Sequence, residues 1–293
     1  MTKTPDIICI GSFLWDVIGR ANNHMRIGSD VPGRITRLPG GVALNIAMTL
    51  KQFGMTPTAL SAIGQDAEGN ELISEIQRMG IQCDHVYRSD DLPTDVYMAI
   101  EGANGLIAAI ADAHSLEAAG DKILRSFRDG SLPIDNRPIA LDGNLTVELL
   151  QSIAEDPFFK DADIRIAPAS PGKAMRLSTF IGHSSTTFYV NLEEAGLLCN
   201  TEFTESETAA LALVERGAHR VLVTDGGSSV SDANGSSVIT QTPPSVLVTR
   251  VTGAGDTFMA AHIASEVGGA NREDALTRAL KAAATYVSGE TPS

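Results

Sequence analysis

Cysteine is scarce in this 293-residue chain: Cys9, Cys83 and Cys199 are an odd number, lie far apart and form no CxxC pair. That excludes a disulfide framework and the usual paired-thiol metal or redox sites, and leaves reduced, mostly buried thiols. No apolar run approaches the roughly 18 residues of a membrane span, and "MTKTPDIICIGS" lacks a basic region followed by a long apolar segment, so a cytoplasmic, membrane-free protein is expected. Lysine and arginine number 22 against 36 aspartates and glutamates, a formal net charge of −14, which argues against nucleic acid or anionic membrane as a partner. The chain has no GxxxxGK[ST], HExxH or GxSxG, and "CIGSFLWDVIG" lacks the GxGxxG spacing of a dinucleotide-binding turn. The six histidines are scattered singly, which disfavours a structured metal site.

What is present is an ordinary globular composition, 43% hydrophobic and 20% charged, long enough to bury a full core without staples. Apolar β-branched runs recur at "DIICIG", "TALSAIG", "RPIALDG", "ADIRIAP", "TTFYVN" and "RVLVTDGG", as expected for strands buried on both faces. Between them lie helical patterns: "GVALNIAMTLKQFG", "GNELISEIQRMG", "TVELLQSIAE", "ESETAALALVERG" and "REDALTRALKAAATYV", with Gly54, Gly80 and Gly217 placed as C-terminal caps. The alternation predicts an α/β fold with a mostly parallel, doubly wound sheet whose ligands bind beyond the carboxyl ends of the strands. Two segments break the rhythm. Residues from about 13 to 41, and from about 93 to 112, read as antiparallel strands, the second pair turning at Asn104-Gly105. They predict a small sheet over the strand ends, acting as a lid or as an intersubunit clasp through which the chain would form a homodimer; an extension of the main sheet is the alternative.

The chemistry-bearing stretches come in order. In "LPGGVALNIAMTLKQFG", Gly40 and Gly41 open a helix, Asn45 lies near its first turn, and Asp16 follows the first strand; Asn and Asp suit vicinal hydroxyls, and glycine lets a ligand approach the backbone. Each reads equally as a turn or cap residue. In "VNLEEAG", the three-residue spacing of Asn191 and Glu194 puts two oxygen ligands on one helical face, a pair that suits Mg²⁺ held through water near phosphates. "VLVTDGG" ends a strand at Thr224, with Gly226 and Gly227 in a turn open to a nucleotide. "VTGAGDTF" sets Asp256 at the start of a helix, where the amides of Gly253, Ala254 and Gly255 are expected to converge as an anion cradle. An acid there also serves simply to stabilise the helix dipole.

In this order and spacing, "GGVALN", "NLEE", "VTDGG" and "VTGAGDTF" resemble the ribokinase (PfkB) family of carbohydrate and nucleoside kinases over essentially the whole chain. The resemblance implies one domain, 1–293, with a ribokinase-like three-layer α/β fold and a small β-lid, ATP as donor, Mg²⁺, and phosphorylation of a primary hydroxyl; a monovalent cation such as K⁺ is left open. It implies Asp256 as catalytic base with Gly253, Ala254 and Gly255 as anion hole, and Asn191 and Glu194 at Mg²⁺ and phosphate. Thr224, Gly226 and Gly227 would hold the nucleotide, and Asp16, Gly40, Gly41 and Asn45 the sugar. A narrower resemblance, to pseudouridine kinases, rests on "VPGRITRLPGGVALN", "NGLIAAIADAHSLE", "LDGNLT" and "APASPGK", and implies Asp112, Asn144 and Lys173 as the polar groups that read the base. Leu44, Ala167 and Ser229 depart from that pattern. Two other classes remain as alternatives: a non-catalytic ligand sensor on the same fold, and a nucleotide-dependent oxidoreductase, which the missing fingerprint disfavours.

Overall fold

The computed structural model describes residues 4–26 and 28–292. From the N-terminus its elements are β1 (Ile7–Ile10), β2 (Leu14–Arg20), β3 (Arg34–Gly40), α1 (Val42–Gln52), β4 (Pro57–Leu60), β5 (Ala62–Gly64), α2 (Ala67–Arg78) and β6 (Tyr87–Ser89). There follow β7 (Val96–Gly102), β8 (Gly105–Ala111), α3 (His114–Ala119), α4 (Arg125–Arg128), β9 (Ile139–Asp142), α5 (Val147–Glu155) and β10 (Ile164–Ala167). The last third carries β11 (Thr186–Asn191), α6 (Leu192–Cys199), α7 (Ser206–Glu215), β12 (Arg220–Thr224), β13 (Val230–Asn234), β14 (Val238–Gln241), α8 (Ala254–Val267) and α9 (Arg272–Val287).

Eight strands form the main sheet in the order β14-β13-β12-β11-β10-β9-β1-β4. The six that stand out in the sequence as apolar runs are its parallel members, and β13 and β14 add an antiparallel edge. Because side chains alternate along a strand, each strand feeds two cores. Ile8 and Ile10 of β1 face one, packed with α3, α5, α6 and α7. Ile7 and Cys9 face the other, packed with α1, α2, α8 and α9. The result is three layers, helix on sheet on helix. Gly54, Gly80 and Gly217 take the positive φ angles of helix C-termini, at 87°, 83° and 104°. The three cysteines are free and buried, and no helix among the described residues is long and apolar enough to cross a membrane.

A second sheet, β3-β2-β7-β8, stands apart from the first. Within it β2 and β3 run antiparallel, as do β7 and β8, and β2 and β7 join them in parallel. Its outer face leaves Ile35, Met98, Ile100 and Ile110 exposed. Two local expectations change. "TALSAIG" is not one strand: β4 stays in the main sheet while β5 leaves it to pair with β6. The hairpin corner is Ala103-Asn104, with Gly102 facing Gly105, so Gly105 at φ 90° closes the turn rather than centring it. The register shift between Ile100 and Glu101 leaves Ile107 of β8 as one extra residue opposite them, a β-bulge next to the turn.

Candidate active site

The start of α8 is built by one glycine conformation. Gly253 sits at φ 88° as the N-cap, and a Cβ there would lie 2.6 Å from the Tyr286 hydroxyl, which itself donates to the Thr252 carbonyl at 2.9 Å. Only glycine satisfies both demands. The expected trio of amides is altered: the Ala254 N–H donates to the Val251 carbonyl at 3.0 Å and is not free for a ligand. At the start of α8 the amides of Gly253, Gly255 and Asp256 have no intramolecular partner among the described residues, as orphan donors of a helix N-terminus do. A Cβ on Gly255 would meet nothing within 4 Å, so the backbone there lies open.

Asp256 is the acid beside these amides. Its Oδ2 accepts a hydrogen bond from Asn45 Nδ2 at 2.9 Å. Removal from water pushes its pKa up to about 7; the Asn45 bond works against that, while the charges of Asp142, Asp16 and Glu194 add to it. A carboxyl titrating near neutrality is suited to take a proton from a hydroxyl and return it.

Asp16 lies on β2, its pKa pushed up by burial to about 6. The neighbouring glycines have a reason the sequence did not disclose. A Cβ on Gly40 would fall 2.0 Å from an Asp16 carboxylate oxygen, and one on Gly41, at φ 98°, 2.4 Å from the Ser12 carbonyl. The close approach they permit here is protein to protein, seating Asp16 and the turn into α1.

Two residues that sequence reasoning passed over organise this end of the molecule. The fully buried Asp142, at the end of β9, accepts from the Ser12 amide (2.8 Å), the Ser12 hydroxyl (2.7 Å), the Ala43 amide (3.0 Å) and the Asn144 amide (2.9 Å). Ser12 Oγ in turn accepts from the Val42 amide and from Asn144 Nδ2, both at 2.9 Å. The only sequence signals were a Ser after β1 and the Asp of "LDG", both common at strand ends. Lys173 Nζ donates to Asn144 Oδ1, so these two candidates do come together. Burial, then the Arg176 guanidinium, holds the Lys173 pKa below its usual range. Asp112 does not join them; its carboxylate accepts from the His114 amide (3.2 Å) and pairs with His114 Nδ1 (2.7 Å) at the surface. Leu44 is fully buried in the core and Ala167 nearly so, which accounts for their apolar character.

The Asn191–Glu194 pair is first a capping box. Asn191 Oδ1 accepts from the Glu194 amide at 2.9 Å and Glu194 Oε2 accepts from the Asn191 amide at 2.8 Å. Asn191 is thus the N-cap of α6 and not part of a helical face, because the same spacing serves both arrangements. Burial pushes the Glu194 pKa up to about 7. Among the described residues no group of three or more His, Cys, Asp or Glu side chains is placed to hold a metal ion.

Thr224 pairs in register with Asn191 across β11 and β12. Beyond it Gly226, at φ 53°, and Gly227 border a cavity of about 390 Å³ that also touches Ala254, Gly255 and Phe258 and is walled mainly by valine, leucine, alanine and proline. Ser229 lies just outside, its hydroxyl 3.4 Å from that of Thr242. A more open depression of about 730 Å³ lies at the far end of α8, lined by Arg165 and Glu266 among others. Those charges are paired with each other, and Arg165 also with Asp163 at 2.5 Å, so the smaller apolar cleft beside Asp256 is the better place for a ligand.

A three-layer sheet with a second sheet beside it, an open helix N-terminus and an acid poised near neutrality together describe a group-transfer enzyme of the α/β type. The chain belongs to the pfkB family of carbohydrate kinases, whose family model matches residues 4–292. It is accordingly a phosphotransferase acting on a hydroxyl of a sugar or nucleoside. It is 29% identical over 294 residues to the uncharacterized sugar kinase YeiI of Escherichia coli (strain K12), covering 97% of this chain and 78% of that one. It is 28% identical over 270 residues to the pseudouridine kinase of the same organism, covering 89% and 83%. Among solved structures, Arabidopsis thaliana ribokinase complexed with ribose and ATP superposes with a TM-score of 0.77 at 20% identity, covering 97% and 93%, a likeness of fold.

Proposed function

We propose that this kinase transfers the γ-phosphoryl group of ATP to the ribose 5′-hydroxyl of pseudouridine. The observation that carries the reading is Asp256 beside the open amides of α8, bonded to Asn45 and within electrostatic reach of Asp16, with the apolar cleft alongside. In this arrangement Asp256 takes the proton of the attacking hydroxyl, and the amides of Gly253, Gly255 and Asp256 hold the charge that develops on the transferred group. The cleft suits a nucleobase, and the ATP complex of the Arabidopsis ribokinase supports ATP as its occupant. Among the described residues Glu194 Oε1 has no intramolecular hydrogen bond, and Glu194 lies close enough to Asp256 to act on its charge, which suits hydrated Mg²⁺ at the phosphates. When bound, the ion would neutralise phosphate charge. Asp16 and Asn45 would grip the sugar, and the β2-β3-β7-β8 sheet would close over it and exclude water.

Pseudouridine is favoured over a bare sugar by the part-buried Asn144–Lys173 couple and by the 28%-identical pseudouridine kinase. A second reading, another sugar acceptor such as ribose, fructose or a 2-keto sugar, is supported by the similarity to YeiI. ADP release measured with pseudouridine, uridine, cytidine, adenosine, ribose and fructose separates them. A preference for pseudouridine over uridine of about tenfold matches the roughly 1–3 kcal/mol of leaving one buried polar group unpaired. A best rate with free ribose or a hexose overturns the pseudouridine assignment.

A further inference from the structure

We propose that Asn45, beyond any contact with the acceptor, is a positioning residue for the general base: its amide fixes Oδ2 of Asp256 so that Oδ1 is the oxygen presented to the acceptor hydroxyl. The inference rests on the reading of Asp256 as base and goes beyond it.

The bond joins residues 211 apart in sequence, and both of its ends are anchored. On the Asn45 side, the first turn of α1 is clamped: the Val42 and Ala43 amides donate to Ser12 Oγ and Asp142, and the Leu44 amide donates to the Ser12 carbonyl at 3.2 Å. Leu44 and Ile46, on either side of Asn45 in the chain, are fully buried. On the Asp256 side, the αL cap at Gly253 and the burial of Thr257 and Phe258 fix the start of α8. No other hydrogen bond reaches the Asp256 carboxylate among the described residues, so the Asn45 bond is the directional contact on its rotation.

The charged groups that act on Asp256 are Asp16 from β2, Asp142 from β9 and Glu194 from α6, all of like sign, and Tyr286 of α9 is turned to the Thr252 carbonyl. Beyond the helix N-terminus itself, the Asn45 N–H is, among the described residues, the one hydrogen-bond donor on the carboxylate that steadies the ionised form. Losing it should raise the proton affinity of the base.

The test is the pH dependence of kcat/KM, whose acid limb reports the free enzyme, in wild type, Asn45→Ala and Asn45→Asp. Alanine suits a helix interior, so α1 is retained. For Asn45→Ala the acid limb should move up by about one pH unit, roughly a tenfold extra loss at pH values below it, and for Asn45→Asp, which adds a like charge, by more. ¹³C NMR titration of the Asp256 carboxyl in the free proteins should show the same upward order without reliance on turnover. A raised acceptor KM with an unmoved limb and an unmoved NMR titration would mean that Asn45 only grips the acceptor, and would overturn the proposal. Failure of the underlying reading looks different: Asp256→Asn would retain turnover.

Discussion

Replacing Asp256 by Asn should make the protein more stable and a far slower catalyst at the same time. The side chain keeps its shape, and the new amide oxygen can still accept from Asn45 Nδ2, so packing is preserved. What changes is the charge. With a pKa of about 7 in the fold against 3.8 for an unperturbed aspartate, the ionised carboxylate is disfavoured at pH 8 by at most roughly 4 kcal/mol. Asp256 is partly exposed, and solvent screening reduces the expected gain to about 1–2 kcal/mol. The sign follows from proton counts. Between about pH 4 and pH 7 the unfolded chain has released this proton while the fold retains it, so the wild type loses stability as pH rises through that window. The asparagine variant escapes that loss. Urea denaturation at pH 4, 6 and 8 should therefore show an advantage near zero at the lowest pH and complete at the highest, with an unchanged m-value. An advantage independent of pH, or none at pH 8, would refute the argument that Asp256 is held against its own ionisation. In parallel, phosphoryl transfer should fall by about 10²–10⁴ with nucleotide binding nearly intact; a rate within about threefold of wild type would remove Asp256 as the base by the same reasoning.

Glu194→Gln retains the capping box, since glutamine at that position also reaches back to the N-cap amide, so thermal stability should change little. The Mg²⁺ concentration for half-maximal rate should rise more than the acceptor KM, and an unchanged metal titration would count against the role of Glu194. Asp142→Ala should destabilise the fold by about 3–5 kcal/mol, because it strips the common acceptor from four donors. A loss below about 1 kcal/mol by urea titration would show that water replaces the carboxylate.

The parallel strands could be read in advance because burial on both faces writes itself as unbroken β-branched runs, as in "IICI" and "RVLVT". The helices announced themselves through glycine stops, and the start of α8 through Gly253, whose φ no other residue adopts easily. Asp142 stayed hidden for a physical reason. Its donors come from residues 12, 43 and 144, and nothing in "LDGN" distinguishes an aspartate that organises three segments from one that ends a strand. Gly40 and Gly41 were legible as glycines required by close approach, but what approaches them is fixed only by the folded chain. Asn191 and Glu194 show the opposite hazard, a spacing that serves two arrangements, of which the capping box is the one the local backbone enforces.

The second sheet is held at one end. At its root Trp15 is buried, donates its indole N–H to the Glu68 carbonyl at 2.9 Å and lies 4.0 Å beneath the Arg37 guanidinium, while its amide bonds the Asp95 carbonyl at 3.2 Å. Asp95 is pinned in turn by the Ser115 and Leu116 amides, each at 3.0 Å. Toward Arg20 such anchoring fades, and Ile35 and Ile110 stand 76% and 69% exposed. Mechanically this is a cantilever: four hydrogen-bonded strands resist bending along their length, so compliance concentrates at the root. From Trp15 to Arg20 the arm spans about 17 Å at strand rise. A rocking of about 10° at Trp15 would carry its tip about 3 Å while moving Asp16, one residue from the pivot, hardly at all. Asp16 can thus keep its place beside Gly40 while the far end of the sheet moves.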